Sequence, residues 1–413
     1  MTERQRSGRT VTRGEQMLAL RKRRWTGTIP FLRGGFRPFF FGTASWGLIA
    51  MALWLCALAG AIALPTKFDP VAWHRHEMLF GFVGAAVSGF LLTAIPNWTG
   101  RLPIAGKPLL SLFGLWAAAR LAVLFSAGIG YWPAAVLDVG LFVALALFAA
   151  REVLASKNRN LPIVGLVLLF GVADGADYAG SAGSIPPDLG WRGAIALIVI
   201  MISLIGGRII PSFTRNWMAK QGIKLGLPTQ PQGLDMLVIA TTALALLLWI
   251  AFPENQSTGL VLILAAVAQS LRISRWGGAR TLRDPLVAVL HVGYAWIPTG
   301  LLLLGLSVAG FDVPRSAGIH ALTAGAMATM ILAVMSRASL GHTGRELTAS
   351  PMTIASYVCV TLGAALRVAA SLGVGDDYSL MLNIAGAFWG AALMLFLLAY
   401  GAVLWGPRIG QHS

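Results

Sequence analysis

The feature that most constrains this chain is a succession of twelve apolar runs, most of them long enough to cross a bilayer. A hydrocarbon core about 30 Å thick needs about 20 helical residues at a rise of about 1.5 Å each. The chain is 56% hydrophobic and 12% charged, an apolar excess that no soluble domain requires. The sequence therefore predicts an all-α integral membrane protein with twelve transmembrane helices, at about residues 38–63, 76–96, 108–127, 132–151, 162–180, 192–210, 235–252, 257–272, 285–308, 318–337, 352–372 and 380–405.

The positions of Lys and Arg predict the orientation of these helices. Of the 32 basic residues, 26 fall in the N-terminal segment, the even-numbered loops or the C-terminus. By the positive-inside rule, both termini are predicted to be cytoplasmic. The net charge of +16 is thus a topology signal and does not indicate nucleic-acid binding, although the basic run at 21–24 also suits anionic lipid headgroups. Cys56 and Cys359 lie in apolar runs, which argues against a disulfide framework or a Cys-ligated metal site.

Two long stretches of the chain, 244 residues apart, carry identical residues at matching positions. His76 falls on His320, and each stretch ends in a Thr-Gly-Arg turn. At an offset of 247, the intramembrane Arg120 likewise falls on Arg367. Shared composition of Gly/Ala/Leu-rich helices is the alternative explanation. We interpret the matches as a parallel repeat, in which binding sites usually lie between equivalent helices.

The repeat predicts how the chain is divided. A basic N-terminal segment, 1–35, precedes a single membrane domain, 36–413. Within that domain we predict three four-helix pseudo-repeats, of which the first and third resemble each other more than either resembles the second. Their approximate bounds are 36–155, 156–275 and 276–408.

Five of the six histidines lie in or beside the apolar runs. The predicted topology puts His74, His76 and His320 at the outer face, and His291 and His342 towards the inner face. Two histidines from facing helices are the usual way a helical bundle holds haem iron, and imidazole also binds copper. We therefore predict that His76 and His320 hold a bis-His haem or a shared copper. The alternative is that each is an interfacial, hydrogen-bonding histidine.

The sequence predicts the roles of the other three histidines less narrowly. His74, two residues from His76, points to a different part of the helix surface and is predicted to be a second ligand site or a gate. His291 lies inside the membrane and is either an open metal site for a gas or a core histidine that donates to a carbonyl. His342 resembles part of an anion-binding turn and is a weaker metal candidate.

Four arginines are candidates for binding the carboxylates of a cofactor. Arg120 and Arg367 lie inside helices, where a charge needs a partner. Their forked guanidinium groups suit haem propionates. The alternative is a salt bridge to one of three aspartates, Asp138, Asp174 and Asp177. Asp174 and Asp177, together with Glu77, are predicted to form either a proton path or simple salt bridges. Arg208 and Arg337, at cytoplasmic helix ends, either serve an inner haem or snorkel to the interface.

Six groups of motifs resemble the NnrS family of bacterial inner-membrane proteins. They are GFRPFFF from Gly35, HEMLFGF from His76, FLLTAIPNWTGR from Phe90, IGGRIIPSFTRN from Ile205, LHVGYAW from Leu290, and HALTAGAM through SRASLGHTGR from His320. The resemblance covers most of the chain and implies twelve spans, haem b, copper and a link to nitric oxide tolerance. Five usable histidines cannot supply the six of a respiratory haem–haem–copper centre, so a direct copy of oxidase chemistry is not expected.

The predicted function is that of a haem-bearing membrane protein that binds nitric oxide or a derivative and protects the cell from it. The implied chemistry is metal-centred reduction by a nitric oxide-detoxifying oxidoreductase, with electrons from an unidentified donor in the periplasm or membrane. His76 and His320 would hold the electron-entry metal, and His291 the open site. Two alternatives stay open: a repeat-built transporter or metal-handling protein, and a non-catalytic protein that binds or senses nitric oxide.

Overall fold

The fold is described by a computed structural model for residues 19–20, 24–228 and 232–410, so that only Arg24 of the basic run at 21–24 is included. Within these residues the protein is all-helical, with 78% helix and no strand. Twelve helices are long and apolar enough to cross a membrane, which confirms the predicted class and number of spans. They are α1 Phe36–Leu58, α2 Pro70–Thr99, α3 Lys107–Leu124, α4 Tyr131–Ala155, α5 Leu161–Ser181, α6 Leu189–Lys220, α7 Gly233–Ala251, α8 Gln256–Ser274, α9 Pro285–Val308, α10 Arg315–His342, α11 Pro351–Ser371 and α12 Tyr378–Trp405.

Helix α2 begins earlier than its apolar run predicts, because its start signals lie before that run. The Asp69 side chain accepts hydrogen bonds from two backbone N–H groups of the first turn, and Pro70 occupies the first helical position. The polar Trp-His-Arg-His segment is therefore helical. As a result His74 and His76 lie on the first turns of α2.

Helices α2 and α10 each contain a π-helical segment near their start. These segments are Glu77–Val83 and Ala321–Met327, and they are separated by the same 244 residues as the matching histidines. In each helix the matching histidine, His76 or His320, immediately precedes the π-helical segment. Such segments occur frequently at functional sites.

The same two helices are the most deeply buried spans. The buried fraction of the most apolar stretch is 78% in α2 and 67% in α10. The same fraction is 44% in α1 and α4 and 33% in α3. Helix α2 packs against α1 and α4, and α10 packs against α9 and α11. Helix α12 packs against α1, so the first and last spans adjoin. The histidine-bearing helices therefore lie at the centre of the bundle.

Gly81 lies in the π-helical segment of α2, where a side chain has no room. A β-carbon there would overlap the Glu77 carboxylate and lie 2.8 Å from Arg120 Nη1 and Trp46 Nε1. We expect Gly81→Ala to lower the free energy of unfolding by about 1–3 kcal/mol, because these groups would be forced apart. Thermal unfolding in detergent measures the change. The control is Gly114→Ala, whose methyl group meets no atom within 4 Å, and equal stability of the two variants would contradict this packing.

Candidate functional site

A cavity of about 520 Å³ lies at the end of the bundle where α2 and α10 begin, and we call it the histidine cavity. Cofactor and small-molecule sites usually have volumes of about 300–1,000 Å³. Its walls come from α1, α2, α6, α10, α11 and α12, and most of the lining side chains are apolar, among them Trp54, Leu79, Phe82, Met327 and Trp389. Five side chains carry ionisable groups into it: His74, Arg75, His320, Arg367 and Tyr378.

The two histidines of this cavity come from the two central helices. His320 Nδ1 lies 2.7 Å from the carbonyl oxygen of Ser316, so Nδ1 carries the proton and donates, and Nε2 keeps its lone pair. The His74 ring stacks on Trp54 with centroids 4.6 Å apart, and its Nδ1 is buried without a hydrogen-bond partner. Metal-ligating histidines usually donate their other ring N–H to a carbonyl, carboxylate or water, as His320 does.

Two arginines bring positive charge to the histidine cavity. Arg367 lines the wall formed by α11, and Arg75 lines the wall formed by α2 while its Nη2 donates to Asp177 at 3.1 Å. Arg367, His320 and His74 line this one cavity together. The cavity thus combines two imidazoles with guanidinium groups suited to the carboxylates of a ligand.

His76 does not line the histidine cavity and lies in a buried charge cluster between α2, α4 and α5. Its Nδ1 is 2.9 Å from Asp177 Oδ2, and its Nε2 is 3.0 Å from Asp138 Oδ2. Ionised carboxylates only accept hydrogen bonds, so both ring nitrogens donate, which is the arrangement of an imidazolium. Neither ring nitrogen is free to bind a metal in this arrangement.

Arg120 of α3 belongs to the same buried charge cluster. Its Nη1 donates to Glu77 Oε2 at 2.9 Å, and its Nη2 contacts Asp138. Arg120 therefore forms the salt bridge that was the alternative to a propionate clamp. We call the whole group the His76 cluster; it consists of Arg75, His76, Glu77, Arg120, Asp138, Asp174 and Asp177.

Asp174 is the member of the His76 cluster that has no hydrogen bond. Both of its carboxylate oxygens are buried without a partner, and Oδ1 is 3.8 Å from His76 Nε2. The other members balance three positive groups against three carboxylates. Because an ionised carboxylate is costly to bury unpaired, Asp174 is suited to hold a proton. The ligand atoms of His76, Asp138 and Asp174 also lie within 4.8 Å of one another, close enough to share a cation.

The two remaining histidines lie away from the histidine cavity, in different surroundings. His291 Nε2 is 2.8 Å from the Thr214 hydroxyl, and its Nδ1 is buried without a partner. Its bond is to a side chain of α6 and not to a carbonyl of α10. His342 lies against Phe36, with ring centroids 5.6 Å apart, and lines a second cavity.

Arg208 and Arg337 also lie outside the histidine cavity. Arg208 is exposed, and its Nη1 is 3.5 Å from Asn160 Oδ1. The Arg337 guanidinium lies 4.0 Å from the centre of the Phe213 ring, a cation–π contact. Both are thus held by contacts that need no cofactor.

The comparison with protein families decides where the chain belongs. The family model described as NnrS protein matches residues 30–408, nearly the whole of the 413 residues. The chain belongs to the NnrS family. This membership links it to the nitric oxide response and suggests metal or haem binding. No curated protein matches the chain.

In this NnrS-family chain, the structure brings together only some of the residues that the sequence predicts for the site. His74, His320 and Arg367 line one cavity, whereas His76 and Arg120 belong to the neighbouring cluster. The sequence reasoning missed Arg75 and Trp54. Arg75 stands between two candidate histidines in the segment WHRHEM, and that position was the available signal.

Proposed function

We propose that this protein holds a haem in the histidine cavity and with it binds nitric oxide or a derivative, protecting the cell from it. The observation that carries the proposal is a single apolar cavity lined by His74 of α2 and His320 of α10, each with a ring nitrogen that makes no hydrogen bond. Two histidines on neighbouring helices are the usual ligand pair for haem iron in a bundle. The family's link to nitric oxide supports the choice of ligand.

The cavity residues fit a haem in their chemistry. Apolar walls suit the macrocycle, and Arg75 and Arg367 suit the propionates. When bound, the haem supplies a redox-active iron that can coordinate a small gas. His320 is fixed by its bond to Ser316, whereas His74 has no such hydrogen bond. His74 is therefore the ligand that we expect to yield its position more readily.

An apolar crevice adjoins the histidine cavity and would suit the passage of nitric oxide. This crevice, of about 100 Å³, lies between α1, α2, α5, α6 and α10. Met327 lines both the crevice and the histidine cavity. Nitric oxide is a small apolar molecule that concentrates in lipid, so a route through apolar side chains suits it.

Copper, which the sequence resemblance also implies, does not suit the His76 cluster. Among the described residues, the group of His76, Asp138 and Asp174 is the one set of three or more His, Cys, Asp or Glu side chains close enough to share an ion. It contains a single imidazole, and carboxylates favour harder cations. Both nitrogens of that imidazole already lie within hydrogen-bond distance of carboxylates. We assign no step to copper.

The His76 cluster supplies a place for a proton beside the histidine cavity. Reductive removal of nitric oxide consumes protons, and Asp174 is the buried carboxyl group best suited to store one. Arg75 belongs to both the cluster and the cavity wall, so it joins the two regions. This proposal assigns the acidic residues of α5 to proton handling and not to cofactor binding.

We also propose that the protein lies in the bacterial inner membrane with both termini in the cytoplasm. The excess of Lys and Arg on one side supports this orientation. The domain division is 1–35 followed by three units at about 36–155, 156–275 and 276–408. The π-helical segments 244 residues apart support the relation between the first and third units.

Nitric oxide added to the reduced, purified protein is expected to change its haem absorption spectrum. The reason is that His74, whose Nδ1 has no hydrogen-bond partner among the described residues, would yield its place to the gas more readily than His320. Consumption of nitric oxide at an electrode, with a chemical reductant present, distinguishes an enzyme from a protein that only binds or senses the gas. Protein without a haem band, or a reduced spectrum that nitric oxide leaves unchanged, would refute the proposal, and substrate uptake into sealed vesicles would favour the transporter alternative.

A further inference from the structure

A second cavity, of about 390 Å³, lies at the end of the bundle where α2 and α10 finish, and we call it the arginine cavity. Pro96 lines it, and this residue is about 33 Å along α2 from His74 at a rise of about 1.5 Å per residue. The two cavities are therefore separate. Four arginines and a histidine line the second one: Arg33, Arg37, Arg101, Arg408 and His342.

Arg37 is the most buried cation of the arginine cavity, with 4% of its surface exposed. Its Nη1 donates to the backbone carbonyl oxygens of Leu404 at 2.7 Å and Gly406 at 2.6 Å, at the end of α12. These bonds fix the guanidinium group and use one of its three nitrogens. Nη2 and Nε are left to donate to a ligand.

Positive charges lie together around Arg37 without matching carboxylates. Arg33, Arg101 and Arg408 line the arginine cavity together with Arg37. Among the described residues, Arg101 is the one arginine of this group that has a carboxylate partner. Repulsion between partly buried like charges costs free energy, which a bound anion would offset.

The N-terminus of α1 adds to the same positive field. Gly34, Gly35 and Phe36 line the arginine cavity, and no side chain caps the first turn of α1. The first N–H groups of a helix carry a partial positive charge and commonly bind phosphate. The buried guanidinium group of Arg37 and an uncapped 23-residue helix thus converge on one cavity.

We propose that the arginine cavity binds a phosphate-class oxyanion, either inorganic phosphate or the phosphate headgroup of an anionic lipid. Each forked guanidinium group can donate to two phosphate oxygens at once, which favours this class over chloride. Binding here depends on neither the histidine cavity nor haem.

The test compares two sources of phosphate by their effect on the thermal unfolding midpoint of the full-length protein in detergent. Inorganic phosphate is titrated against chloride at equal ionic strength, and phosphatidylglycerol is added to the micelles against phosphatidylcholine. A ligand that binds only the folded state raises the midpoint in a saturable manner. A saturable rise with phosphate alone identifies a free anion, and a rise with phosphatidylglycerol identifies a lipid headgroup. No rise beyond the chloride and phosphatidylcholine controls overturns the proposal.

Arg408→Ala is the informative variant, because Arg408 lines the arginine cavity and its side chain makes no hydrogen bond or ion pair among the described residues. This variant is expected to weaken the apparent affinity for the effective ligand about tenfold or more, since a hydrogen bond to a charged group contributes about 1.5–3 kcal/mol. Arg208→Ala, which removes an exposed arginine elsewhere, is the matched control and should leave the affinity unchanged. An affinity of Arg408→Ala equal to that of the control would overturn the assignment to this cavity.

Discussion

Replacing His74 or His320 with alanine is expected to remove most of the haem from the purified protein. The two rings line one apolar cavity, and each has a nitrogen without a hydrogen-bond partner. Loss of an outer-shell partner alone typically costs about 10–100-fold in metal affinity, so loss of a ligand should cost more. The pyridine haemochrome spectrum, expressed per mole of protein, measures the change.

Two further histidine variants make this result specific. His291→Ala is the matched control, because His291 is a buried intramembrane histidine outside the histidine cavity. It should keep the wild-type haem content. His76→Ala tests the ligand pair that the repeat predicts. Haem lost from His76→Ala but kept in His74→Ala would contradict the assignment made from the cavity.

Replacing Arg120 with alanine is expected to be among the most destabilising single changes in the protein. Glu77 and Asp138 are fully buried, and each would lose its ion pair with the Arg120 guanidinium group. Removing one partner of a buried ion pair typically costs about 3–5 kcal/mol. The expected result is a large fall in the thermal unfolding midpoint in detergent, or failure to recover monodisperse protein.

The matched control for this prediction is Arg208→Ala, which removes an exposed arginine and should change stability by no more than about 0.5 kcal/mol. A double variant, Arg120→Met with Glu77→Gln, removes one charge of each sign and leaves two positive groups against two carboxylates in the His76 cluster. It should recover much of the lost stability. Wild-type stability of Arg120→Ala would show that these carboxylates do not depend on the ion pairs described.

The twelve spans were predictable because bilayer thickness sets a minimum length for apolar runs, and that length can be read from a sequence. The start of α2 could not be predicted from apolar length, because the Asp69 cap and Pro70 precede a polar stretch. This difference matters for the site. Two residues along a helix turn the side chain by about 200°, so His74 and His76 face different neighbours.

The repeat predicts the ligand pair His76 and His320, whereas we propose His74 and His320, because the partners of the two matching histidines differ. His76 is held by Asp138, and the residue that matches Asp138 at an offset of 247 is Ala385, which lines the histidine cavity. Likewise Glu77, which holds Arg120, matches Ala321 at an offset of 244. Carboxylates therefore engage the histidine and arginine of the first unit.

The histidine and arginine of the third unit, His320 and Arg367, line the histidine cavity instead. A comparison of helix with helix does not reveal this difference. It depends on which acidic side chains α4 and α5 bring against α2, and that packing is set by tertiary contacts. The acidic residues themselves were visible in the sequence, but their distances from each histidine were not.

Whether His74 and His320 together ligate one haem is decided by the redox potential and the electron paramagnetic resonance spectrum of methionine variants. A thioether in place of one imidazole raises the potential of a haem and changes its ligand-field signature. We predict that His74→Met and His320→Met each bind haem with a raised potential and an altered spectrum, whereas His291→Met matches the wild type. Wild-type potential and spectrum in both His74→Met and His320→Met would contradict the account.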